Sequence, residues 1–204
     1  MLKKTLITIS TILLTCTLLY LTDLDDRLHY VTRSWANSAE QKIQNIWLDR
    51  YRQVGVERVL TGVRNNLSGI TYCSENQRLY AIINSPTQIL ELTTNGELLR
   101  TIDLKGFEDT EAIVHLGNDR FAVLEERRHT LLIIGIDETT TSIDRKDAFS
   151  NLHIDLKERD NLGFEGLAYD SNEKIFYIVN EKNPRQIIAI KGWNGSFLSP
   201  QQIH

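Results

Sequence analysis

Cysteine is scarce in this chain of 204 residues, which carries only Cys16 and Cys73. The first lies in an apolar N-terminal run and the second in a predicted strand, so a bridge would have to join that run to the folded domain, and no disulfide is expected. A basic face is missing too: 23 Lys and Arg are interspersed among 27 Asp and Glu, for a net charge of −4. Nucleic-acid binding needs concentrated positive charge, so that partner class is excluded. No Gly-rich phosphate loop occurs, which removes nucleotide chemistry and leaves no organic cofactor to expect. Ser68 precedes Gly69 but lacks a Gly-x-Ser-x-Gly elbow and an assignable Asp/His pair, so it is no nucleophile. His29, His115, His129, His153 and His204 are scattered with no two at ligand spacing, which argues against zinc. With no complete catalytic set, the reading leans away from an enzyme.

With 41% hydrophobic residues, the chain can bury one sizeable core. Thr5 to Thr22 form 18 consecutive uncharged residues rich in Leu and Ile, near the lower length limit for a spanning helix. Lys3 and Lys4 precede the run while Asp23, Asp25 and Asp26 follow it, so the positive-inside bias sends the remainder outward. A cleaved signal peptide is the rival reading, but no small-x-small pattern precedes Asp23. Lipid attachment at Cys16 is a further alternative, disfavoured by the bulky Leu13-Leu14-Thr15 before it. The expected division is an anchor over 1–22, a juxtamembrane linker with a short helix over 23–52 and a folded domain over 53–204. Ser38 and Gln41 form a capping-box pattern, and Ile43, Ile46, Trp47 and Tyr51 follow at helical spacing. From Val54 the period changes: Val54, Val56, Arg58 and Leu60 alternate as in a strand.

Three stretches then repeat one another: Leu67–Tyr72, Thr110–His115 and Phe164–Tyr169. Each opens a strand and is followed by a turn and a second strand, at Leu79–Ile83, Phe121–Leu124 and Ile175–Val179. A third strand is predicted at Gln88–Leu92, Thr130–Ile136 and Gln186–Ile190. In the first copy the Thr94-Asn95-Gly96-Glu97 turn leads to a fourth, Leu98–Leu104. The equivalent positions Ser68, Glu111 and Glu165 lie 43 and then 54 residues apart, close to one four-stranded blade. The expected class is all-β, a β-propeller of about three blades; a generic meander or sandwich is the alternative. Closed propellers have about four to eight blades, so the chain reads as incomplete.

Gly62–Ser68, Thr93–Ile102, Gly163–Tyr169 and Asn180-Glu181-Lys182-Asn183-Pro184 closely resemble the SdiA-regulated family, from about Trp47 onward. That resemblance implies an N-terminally anchored six-bladed propeller in the bacterial periplasm, with about half of the domain absent from this chain.

In the repeat register, Ser68, Glu111 and Glu165 begin the strand nearest a propeller's channel, and converging carboxylates there suit a hard cation such as calcium. Glu-Gly at this place also resembles metal-binding strands of calcium-dependent propeller hydrolases. Glu126 and Glu181, equivalent to each other just after the second strand, form a second tier, and Asn66 and Asn84 offer neutral oxygens. Alternatively, each Glu accepts hydrogen bonds from the next blade's backbone and no metal is involved. The function expected is a membrane-anchored module binding a small molecule or an envelope protein; the alternative is a calcium-dependent hydrolase of phosphoesters, esters or lactones.

Overall fold

A computed structural model describes the backbone of residues 24–38, 66–154, 163–181, 185–194 and 198–203, together with short stretches and isolated positions before residue 66. The chain divides into two compact units, Met1–Glu57 and Arg58–His204.

In the first unit, helix α1 (Leu24–Ala36) ends with Arg33 in its last turn, where a cation meets the negative end of the helix dipole. The sequence signalled a helix start only later, at Ser38, and that signal is also realised. Ser38 N–H donates to Gln41 Oε1 at 2.9 Å and Gln41 N–H donates to Ser38 Oγ at 3.3 Å, the reciprocal bonds of a capping box. Ile43, Ile46 and Trp47 lie outside the described residues, while Tyr51 is exposed and outside any helix. Most of Thr5–Thr22 also lies outside them, and among the described residues no helix is long and apolar enough to cross a membrane.

The strand expected over Val54–Leu60 is not found at Gly55, Glu57, Val59 or Leu60, its described positions. Gly55 has φ +89°, which breaks an extended run, and Leu60 turns with Val63 to pack on the first sheet.

The second unit is built from antiparallel meanders. The first comprises β1 (Leu67–Cys73), β2 (Arg78–Asn84), β3 (Thr87–Thr93) and β4 (Leu98–Lys105). The chain continues through β5 (Thr110–Gly117), β6 (Arg120–Glu125), β7 (Thr130–Gly135), β8 (Ser142–Asp144) and β9 (Ser150–His153). It closes with β10 (Phe164–Asp170), β11 (Ile175–Asn180), β12 (Gln186–Trp193) and β13 (Leu198–Ile203). Every strand of the three repeats is therefore present, and β8, β9 and β13 are additional. The sheets are ordered β1-β2-β3-β4-β8, β5-β6-β7-β9 and β10-β11-β12-β13, and among the described residues they do not close into a ring. The first sheet has five strands rather than four, because β8 leaves the second meander to pair in parallel with β4, Leu104 opposite Ile143.

Period-two alternation explains how the sheets stack. Tyr80 and Ile82 of β2 meet Phe121 and Val123 of β6 in one core, while Ala122 and Leu124 of β6 meet Phe176 and Ile178 of β11 in the next. The second sheet is thus covered on both faces, and all of β6 except its first residue is buried. In β11 only one face is covered: Phe176 and Ile178 are buried, Tyr177 and Val179 exposed.

Arg100 of β4 fastens the first sheet to the loop after β7. Its Nε donates to Glu91, Nη1 donates to the carbonyls of Glu138 and Thr140 at 2.8 Å each, and Nη2 donates to that of Asp137 at 2.7 Å. A planar five-donor guanidinium can satisfy such a set and a lysine cannot. The Thr140 and Thr139 hydroxyls hold the Asp137 carboxyl down to about 2, so it stays ionised and keeps the loop turned toward Arg100.

The inner strands β1 and β5 approach so closely that a Cβ on Gly69 would lie 3.0 Å from both Ala112 Cα and Glu111 O. Backbone cannot swing aside as a side-chain tip can. Gly69→Ala should therefore cost about 1–3 kcal/mol through overpacking, read as a lowered urea midpoint with an unchanged slope.

Candidate functional site

The repeat has a backbone signature. Each inner strand carries a bulge at the same place, between Leu67 and Gly69, Thr110 and Ala112, and Phe164 and Gly166. Ser68, Glu111 and Glu165 are the residues at which the strand register shifts. A bulge re-aims a side chain, and bulges are enriched beside functional sites. Glu126 N–H donates to Asp109 O at 2.9 Å and Glu181 N–H donates to Gly163 O at 2.8 Å, so those two glutamates also occupy matching positions.

Matching positions do not have matching surroundings. Glu111 and Glu126 lie with Asp109 in a group whose carboxylate oxygens fall within 4.8 Å of one another. Asn84 at the end of β2 donates from Nδ2 to Glu111 Oε1 at 2.9 Å and to Asp109 Oδ1 at 3.3 Å. Arg127 Nη2 stands 3.4 Å from Asp109 Oδ2. The Arg127 guanidinium and the Asn84 amide are thus among the groups set against these carboxylates. Glu165 and Glu181 are exposed in the third part of the chain and join no such group among the described residues. Ser68 donates its hydroxyl to Asn66 O at 3.4 Å, and Asn66 is exposed with φ 61°.

Asp109 escaped the sequence reading because it precedes the repeated strand. It takes a left-handed conformation, φ 54°, which Asp tolerates better than most residues and which ends the β4–β5 connection. The only sequence signal was its position two residues before Glu111.

Beneath this group the second sheet is held by Glu125, which is fully buried. Its Oε1 accepts Glu108 N–H at 2.9 Å and its Oε2 accepts Arg145 Nε at 2.9 Å. Glu108 in turn accepts from Arg128 Nη2 at 2.6 Å. The Glu125-Glu126-Arg127-Arg128 run is therefore a set of fasteners around the cluster.

A second group brings together a histidine and a cysteine that local spacing did not single out. His115 of β5 meets Cys73 of β1 and Glu75 of the following turn, the three ligand atoms lying within 4.8 Å of one another. Cys73 and His115 are 42 residues apart, so no local spacing could reveal them. Cys73 is also one of the residues lining a cavity of about 580 Å³, with Arg78, Tyr80, Glu91, Arg100 and Asp137 among the others.

The family described as SdiA-regulated matches residues 43–204 of the chain. Among solved structures, a Bacteroides uniformis protein provisionally assigned as a 6-phosphogluconolactonase aligns at 11% identity over 68% of this chain and 40% of its own, with a TM-score of 0.52. Hsv2 of Kluyveromyces lactis aligns at 17% identity over 76% and 53%, with a TM-score of 0.48. The C-terminal WD40 domain of Sif2 aligns at 13% identity over 72% and 36%, with a TM-score of 0.46. The chain thus spans between 36% and 53% of these solved chains. At such identities the likeness bears on fold alone.

Glu125→Gln should destabilise the protein by about 3 kcal/mol, because it leaves the Arg145 guanidinium without its buried counter-charge. Chemical denaturation measures the loss, and the double variant Glu125→Gln/Arg145→Met should recover most of it.

Proposed function

The chain belongs to the SdiA-regulated family, and we propose that it is a propeller-type binding module, held on the outer face of a bacterial inner membrane by its N-terminal segment, that takes up a divalent cation at Asp109, Glu111 and Glu126. The observation carrying this reading is the meeting of those three carboxylates at a strand bulge, with Arg127 the cation placed against them. Calcium takes about six to eight oxygens at flexible geometry. Three carboxylates, the Asn84 amide turned to present its oxygen, and water meet that need. The cation then relieves the repulsion among the acids and stiffens the junction of the first two sheets, where a small molecule or an envelope protein binds.

This reading replaces Glu165 by Asp109 and Glu126 as the partners of Glu111. A hydrolase acting on phosphoesters, esters or lactones is the second reading. It rests on the same cation, and it gains a substrate class to screen from the lactonase assignment of the Bacteroides uniformis protein. The uncharged run Thr5–Thr22 with lysines before it and aspartates after it supports the anchor and the periplasmic side.

Melting of the full chain in detergent, in calcium and then in chelator, tests the cation. At a calcium concentration one hundred times Kd, the stabilisation should be about 2.7 kcal/mol, and Glu111→Gln should abolish it. Absence of any calcium-dependent shift in the parent protein sinks the proposal. For the anchor, the full chain should stay in the membrane pellet after a high-pH wash, and a chain lacking residues 5–22 should not; equal release of both would overturn that part.

A further inference from the structure

Cys73, Glu75 and His115 form a second constellation, separate from the three carboxylates and different in kind. Its donors are a thiol, a carboxylate and an imidazole, and they come from two neighbouring inner strands. Cys73 Sγ lies 3.3 Å from Glu75 Oε2 and 3.6 Å from His115 Nε2, and His115 Nε2 lies 3.3 Å from Glu75 Oε2. Tetrahedral zinc, with bonds of about 2.3 Å to sulfur and about 2.0–2.1 Å to nitrogen or oxygen, sets its ligand atoms about 3.3 Å apart for nitrogen and oxygen and about 3.5 Å apart when one is sulfur. The Sγ–Nε2 edge of 3.6 Å and the Nε2–Oε2 edge of 3.3 Å fit those dimensions, and the Sγ–Oε2 edge of 3.3 Å is slightly short of its value. From this triangle we infer that Cys73, Glu75 and His115 are three ligands of a zinc-class transition-metal site.

The surroundings favour the assignment. Cys73 is 4% exposed and the His115 side chain 8%, so two donors are fixed by packing, while Glu75, on the β1–β2 turn, is 53% exposed and free to adjust. The His115 ring is braced against Phe121, centroids 4.9 Å apart, and His115 N–H donates to Thr71 Oγ1 at 3.1 Å, which locks β5 against β1 at this level. The Cys73 proton passes to solvent as the sulfur–metal bond forms. Three protein ligands leave a fourth position, and Cys73 and Glu75 both line the cavity of about 580 Å³, which can supply a water or a small ligand there. A mixed sulfur, nitrogen and oxygen set selects zinc or its analogues over calcium, so the two sites take different metals.

Cobalt(II) reports a thiolate ligand through a charge-transfer band in the near ultraviolet, which carboxylates alone do not give. The experiment titrates cobalt into the metal-free full chain in detergent, with circular dichroism as the folding control. One equivalent should produce the band, and zinc should displace it. Cys16→Ser should keep the band and Cys73→Ala should lose it. Glu75→Gln and His115→Gln should each weaken binding at least tenfold, by analogy with the size of ligand-shell effects. A folded parent with no band at millimolar cobalt overturns the inference, as does a band that survives Cys73→Ala. Should Cys73→Ala fail to fold, unchanged affinity in both Glu75→Gln and His115→Gln overturns it instead. The calcium test reads the other cluster, so either result stands without the other.

Discussion

The missing side chain of Gly69 is the constraint on which the junction of the first two sheets depends. With Ala112 Cα and Glu111 O only 3.0 Å from where a Cβ would stand, β1 and β5 pack at a distance that suits glycine and strains any larger residue. Everything along that seam inherits this spacing. At one end Asn84 reaches Glu111 and Asp109, and Thr110 donates its hydroxyl to Ile83 O at 3.2 Å. Toward the other end Thr71 receives the His115 amide, and Cys73 comes within contact of the His115 ring. The Cys73, Glu75 and His115 group and the Asn84 contacts to Glu111 and Asp109 all cross this seam, so they form only when the two sheets have docked.

Much of this architecture is legible in the sequence because a strand writes its burial into every second residue. The three opening strands, their partners and the Thr94–Glu97 turn all stand where the repeats place them, and Gly96 supplies the φ of +80° that the turn needs. Glu111 and Glu126 could be singled out because the repeat marks their positions. What the sequence conceals is whatever arises between elements. Asp109 is a turn residue outside the repeat, and the Cys73–His115 meeting depends on how two strands pack across 42 residues. Glu165 shows the converse: it shares the bulge position of Glu111 but stands exposed in other surroundings. β8 is hidden for a different reason, since three residues are too few to carry a period.

Charge in this domain is used mainly for fastening. Arg100 gathers three carbonyls and Glu91, Arg145 meets the buried Glu125, and Arg128 meets Glu108. These contacts tie loops to sheets where the apolar layers alone leave the ends unsecured. The interspersed charges of the sequence are thereby explained from within the fold. Against that background the carboxylates of Asp109, Glu111 and Glu126 stand out because they face one another, with their oxygens within 4.8 Å.

The excursion of β8 bears on how such a chain can be rearranged by gene duplication or recombination. Between β7 and β9 the polypeptide leaves its own sheet, adds a parallel strand to the outer edge of the preceding one, and returns. No uninterrupted stretch of coding sequence therefore corresponds to the second sheet alone. A crossover that copied or removed residues 110–154 would carry away the first sheet's border as well. The smallest inheritable piece of this architecture is the pair of sheets, and that pair is also the smallest piece that holds Cys73 and Glu75 together with His115.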